Sequence, residues 1–171
     1  MRKLILPLLF FFLFVLESLF IQFLPAGLYD SKKILVPHFL IASILFLTIF
    51  GSEKNGIIYG LIFGLLFDVV NVEIIGIYLL LYPLVVYVVA KIMKILQANI
   101  FIASIVSLLG VSLVEIGAFE MYTIIHITSM DFMTFLKMRL VPTLLLNAGF
   151  IIIAVYPLKR LFEKYASLRM E

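Results

Sequence analysis

Six long apolar runs take up most of this chain, at about residues 4–24, 34–50, 56–72, 74–90, 99–119 and 140–157. Each holds roughly 17–21 residues, the length a helix rising ~1.5 Å per residue needs to cross a hydrocarbon layer of ~30 Å. A water-soluble domain of 171 residues has too little polar surface to cover such content: 65% of these residues are hydrophobic and 13% charged. The expected fold is therefore all-α, a polytopic membrane helix bundle of about six transmembrane helices. It forms a single integral membrane domain over residues 1–171, with no room for an extramembrane one.

The start, MRKLILPLLFFF, imitates a secretory signal, but its apolar run is too long for one. FIQFLPAGLYD also offers no small-x-small cleavage site, so the first run is read as a retained span. Six spans with the N-terminus inside place Arg2, Lys3, Lys54, Lys91, Lys94, Lys159, Arg160, Lys164 and Arg169 on the cytoplasmic side. Lys32, Lys33, Lys137 and Arg139 fall outside. That asymmetry favours both termini in the cytoplasm. Pro37 is expected in the first turn of span 2 and Pro83 is expected to kink span 4. Between Glu120 and Arg139, Ser129 reads as a helix cap with Asp131 behind it. Phe132, Phe135 and Leu136 would share one face of an interfacial helix leading into span 6 at Pro142. The Phe10-Phe11-Phe12 triplet is expected to face lipid or a partner's helix.

Two faces of small residues stand out. Gly56, Gly60, Gly64 and Asp68 recur every four residues in GIIYGLIFGLLFD, a smooth groove ending at a carboxylate. In lipid such a groove lets another backbone approach closely, either within the bundle or from a partner, with internal packing preferred. Ala103, Ser107, Gly110 and Gly117 make a second such face on span 5.

Polar groups inside spans are costly and point to function by default. Glu17, Asp68, Glu115 and the amide of Asn147 qualify, with Gln22 extending the patch of Glu17 outwards and His38 able to reach the same level. All three carboxylates fall in the outer half, so a polar cluster there is geometrically possible. Its favoured role is to join helices. A ligand or lipid-headgroup pocket and proton transfer are the alternatives. Catalytic, cofactor and metal sites are not expected: His38 and His126 lack metal-ligand spacing, and the serines of span 5 have no histidine beside them. No phosphate-binding loop is present, which argues against a nucleotide, and a net charge of +3 is too scattered for nucleic acid. The basic tail of Lys159, Arg160, Lys164 and Arg169 suits anionic headgroups or a cytoplasmic partner.

The whole chain resembles the bacterial rod shape-determining MreD family. The likeness rests on Glu17 and Gln22 late in span 1, on GIIYGLIFGLLFDVV with Asp68, and on Gly76. It also rests on MRLVPTLLLNAGFIIIAVYPLKRLFEK, with Pro142, Asn147 and Pro157. The stretch 25–33, PAGLYDSKK, is less hydrophobic and more basic than that family's first turn. The resemblance implies a non-catalytic scaffold of the cell-elongation machinery in the bacterial cytoplasmic membrane. Its principal partner would be the bitopic MreC, with MreB, RodA and a penicillin-binding transpeptidase in the wider complex. It also implies a fold similar to the S-components of energy-coupling-factor transporters. A vitamin-binding S-component is accordingly the rival function, demoted because span 1 lacks alanine. A lipid-binding or flippase-like role, using Glu17 and Glu115, is a third.

Overall fold

A computed structural model describes residues 4–23, 33–72, 74–97 and 99–167, the side chains of residues 21 and 22 excepted. The turn 25–32, the side chain of Gln22 and Arg169 lie outside the described residues. Helices are α1 (Ile5–Phe23), α2 (Phe39–Phe50), α3 (Glu53–Phe67), α4 (Ile77–Ile95), α5 (Ile100–Ile124), the short α6 (Phe132–Phe135) and α7 (Val141–Ser167). No strand occurs among the described residues. Two π-helical turns, Asp68–Val72 and Leu136–Leu140, extend α3 and join α6 to α7.

Among the described residues, four helical stretches are long and apolar enough to cross a membrane: Glu53–Val72, Ile77–Ile95, Ile100–Ile124 and Phe132–Ser167. The second apolar run behaves differently. Its helix starts only at Phe39, and residues 33–38 are not helical. Pro37 therefore precedes the helix instead of lying in its first turn: it biases Val36 away from helical geometry and supplies no N–H. At 12 residues α2 is roughly 18 Å long, so the non-helical segment must carry the rest of any crossing.

Helix α2 sits at the centre. Eleven of its residues, all but Ile49, are buried, as expected of a helix apolar on every side. Its two polar side chains turn back on the helix: Ser43 Oγ donates to Phe39 O and Thr48 Oγ1 to Ile44 O, both at 2.8 Å. Around it pack α1, α3, α4, α5 and α7.

The small-residue faces set how closely these neighbours come. A Cβ on Gly60 would stand 3.3 Å from Pro83 N, and one on Gly64 would collide with the backbone carbonyl of Tyr78. The glycine side of α3 thus meets α4 in the same chain, at the turn carrying Pro83. Gly56 faces Thr48 of α2. On α5, Gly110 receives Leu45 of α2 and Gly117 receives Leu81 of α4, while Ala103 and Ser107 are buried. Of the phenylalanine triplet, Phe11 and Phe12 are exposed. Phe10 instead points inward against Tyr59, Phe63 and Phe162. Successive residues on a helix are ~100° apart, so three in a row cannot share a surface.

The segment before α7 also departs from expectation. Asp131, not Ser129, caps the short helix, accepting from Thr134 N (3.0 Å) and Thr134 Oγ1 (2.6 Å). That helix runs through the π turn into α7 without a break, so residues 132–167 form one continuous helical stretch, not a separate interfacial helix. Helix α5 is longer than its apolar run and closes near His126, whose φ is +61°.

Candidate functional site: an intramembrane polar brace

The polar residues of the spans are brought to the two places where the chain enters a helix inside the bundle. The first is the start of α2. Leu40 N donates to Glu17 Oε2 of α1 at 2.9 Å, and His38 N donates to Asn147 Oδ1 of α7 at 2.8 Å. Groups from two other helices thus satisfy orphan donors that α2 cannot satisfy itself. A carboxylate there also lies at the positive end of the helix.

Residues 33–38 are held along α7 by the same device. Val36 N donates to Thr143 Oγ1 (3.1 Å), and Asn147 Nδ2 donates to Val36 O (3.0 Å). Ile34 N donates to Met138 O at 2.7 Å. Met138 is four residues before Pro142, the position whose helical donor proline lacks, so its carbonyl is released for this contact. Pro142, Thr143 and Asn147 act together. Proline frees an acceptor, and threonine and asparagine, one turn apart, face the non-helical segment. Extended backbone at membrane depth is tolerated only when protein covers it in this way.

The second place is the start of α4. Asp68, in the π turn after α3, accepts from Gly76 N (2.8 Å), Tyr78 N (2.8 Å) and Leu79 N (2.9 Å). Gly76 has φ +123°, which only glycine adopts cheaply, and this lets the chain reverse under the carboxylate.

Between these caps lies an ionic cluster. His38 Nε2 is 2.6 Å from Glu115 Oε1. Arg139 Nε donates to Glu115 Oε2 at 2.9 Å and its Nη2 to Oε1 at 3.4 Å. His38 and Glu115 are fully buried, and the Arg139 side chain is 25% exposed. Arg139, counted above among the outer basic residues, therefore reaches inward from the edge of the bundle to pair with Glu115. Among the described residues, four buried side-chain polar atoms have no partner: Glu17 Oε1, His38 Nδ1, Tyr82 Oη and Ser107 Oγ.

Sequence reasoning singled out Glu17, Asp68, Glu115 and Asn147, and the structure gives each a bonded partner. Glu17, Glu115 and Asn147 meet around the start of α2; Asp68 serves α4. Arg139, Thr143 and Tyr82 were missed. A signal for Arg139 existed, since a buried acid needs a cation and it is the single arginine assigned to that side. No group of His, Asp and Glu able to hold a metal ion occurs among the described residues. At the opposite end of the bundle, Lys94 pairs with Glu53 at 2.9 Å. There too Lys91, Lys159 and Arg160 lie over the rings of Tyr87, Phe50 and Tyr156. Cations snorkelling over aromatics mark a membrane boundary.

A helical bundle with long apolar helices, most of its buried polar groups bonded to its own backbone or to one another, fits the class of integral membrane proteins. The chain belongs to the MreD family, rod shape-determining protein MreD, whose model matches residues 2–165. It is 31% identical over 162 residues to the rod shape-determining protein MreD of Bacillus subtilis (strain 168), covering 95% of this chain and 94% of that one. It is also 31% identical over 131 residues to the cell shape-determining protein MreD of Streptococcus pneumoniae (strain ATCC BAA-255 / R6), 77% of each chain. No solved structure matches it. These relatives support a role in determining cell shape.

Proposed function

We propose that this protein is a non-catalytic scaffold of the cell-elongation machinery, placed in the bacterial cytoplasmic membrane with both termini in the cytoplasm. It works by presenting helices to MreC, the bitopic partner, within an assembly that includes MreB, RodA and a penicillin-binding transpeptidase. The observation that carries this reading is the use made of the intramembrane polar groups. Glu17, Asp68 and Asn147 are bonded to backbone N–H groups, and Glu115 to His38 and Arg139. Little of the polar cluster is left to bind a vitamin or a lipid precursor. Extensive apolar surface does remain outside, including Leu8 and Phe11 on α1 and Ile62 and Leu65 on α3. Basic residues Lys159, Arg160 and Lys164 at the end of α7 suit anionic headgroups, each contributing ~1 kcal/mol near such a surface.

Depletion in a rod-shaped host tests the role: cells are expected to round and lyse, and persistence of rods removes it. Native mass spectrometry of the purified protein separates the rival. A co-isolated bitopic protein supports the scaffold, whereas a bound vitamin-sized molecule supports uptake.

A further inference from the structure

Helices α1 and α3 meet through a layer of aromatic rings. Phe10 packs against Tyr59 with 4.7 Å between ring centroids, and Phe14 against Phe63 with 6.1 Å. The order of these pairs means that the two helices run the same way. Outside the rings a groove of about 580 Å³ remains, walled by Leu8 and Phe11 of α1 and by Ile58 and Ile62 of α3. Those four side chains are between 41% and 64% exposed, so the groove opens on the outer surface of the bundle. Along α3 its lining runs from Asn55 to Leu66, a length of ~16 Å at the helical rise.

One end of the groove is polar. Asn55 from the first turn of α3 and Tyr165 from the last turn of α7 line it there. At Ile58 it adjoins a second hollow of about 450 Å³, lined also by Ser52, Glu53 and Lys54. Glu53 is neutralised by Lys94 at 2.9 Å, whereas Lys54 is exposed and makes no ion pair among the described residues. An uncompensated cation thus stands beside the mouth of an apolar slot, at the end where cations over rings mark the membrane boundary. That is the complement of an amphiphile with a negative head and a flexible hydrocarbon tail. A packed helix fits less well, because helices in lipid approach one another through small residues. None of the described residues lining the groove is glycine, alanine or serine, and the glycines of α3 are spent on α4 and α2. Water is no filler between apolar walls. We propose that the groove seats one acyl chain of an anionic phospholipid, with the phosphate held at Lys54. The site goes beyond the scaffold role and does not depend on it. With the chain in place, α1 and α3 present one continuous apolar wall.

Native mass spectrometry tests the head and the tail separately. Delipidated protein in detergent is titrated with an equal mixture of phosphatidylglycerol and phosphatidylcholine. The first lipid retained should be phosphatidylglycerol, and Lys54→Gln should cut that preference about fivefold, the effect of one cation near a headgroup. Equal retention of the two lipids, or a preference untouched by Lys54→Gln, overturns the proposal. For the tail, the chain has no cysteine of its own, so Ile62→Cys can be blocked with a bulky thiol reagent after the protein has folded. The block should remove the retained lipid. The same treatment of Ile152→Cys, 74% exposed on α7 and outside the groove, should leave it in place. Lipid retention unchanged by the block at position 62 refutes the site. Loss of a co-purified protein with the lipid unaffected assigns the groove to a partner's helix and refutes it equally.

Discussion

Asn147 uses both ends of one carboxamide: its oxygen accepts from His38 N, and its nitrogen donates to Val36 O and Thr143 O. Replacing it with leucine keeps the volume and strands a buried N–H and a buried carbonyl. Each stranded group costs about 1–3 kcal/mol, so Asn147→Leu should lower Tm and membrane abundance together. Glu115 is more demanding. Its removal leaves Arg139, mostly buried, without a counter-charge, and breaking such a pair costs about 3–5 kcal/mol. Glu115→Leu is therefore expected to be poorly folded, and the double variant Glu115→Leu with Arg139→Met to recover much of the loss. Thermal denaturation of both, in the same detergent, checks this. Failure of the double variant to recover would show that the charges do more than neutralise one another.

At the level of helices, glycines of similar appearance in the sequence carry different consequences. A Cβ on Gly64 meets the rigid backbone of Tyr78, whereas one on Gly60 sits 3.3 Å from Pro83 N and one on Gly149 meets nothing within 4 Å. Alanine gains about 1 kcal/mol of helix propensity over glycine. The expected order of stability is therefore Gly149→Ala, neutral or stabilised, then Gly60→Ala, then Gly64→Ala, clearly destabilised. A series of melting curves reads the order directly. The four-residue spacing revealed the groove but not its occupant: a helix of the same chain and a helix of a partner want the same smooth surface. The same limit explains α2. Its apolar run has the length of a span, and Pro37 alone does not say how far the helix is delayed. What permits residues 33–38 to remain non-helical is Thr143 and Asn147, more than a hundred residues away.

Over the whole molecule, the proposed orientation places the ring-stacked cations and the Lys94–Glu53 pair on the cytoplasmic side. A fluorescent protein that matures only in the cytoplasm should glow when fused at either end, and a phosphatase active only outside should stay silent there. The opposite result at one end would mean an odd number of crossings. Membrane class, helix content and family could be read from the sequence because they depend on summed hydrophobicity and on short-range spacing, which survive without coordinates. The intramembrane acids were equally visible, since a charge in an apolar run is conspicuous wherever it points. Their partners were not: Glu17 with Leu40, Asp68 with Tyr78 and Glu115 with Arg139 are pairings set by how helices cross and where they begin. Only the packed bundle fixed those, because a hydrogen bond is decided within a few tenths of an ångström and hydrophobic pattern places a residue no better than to a face.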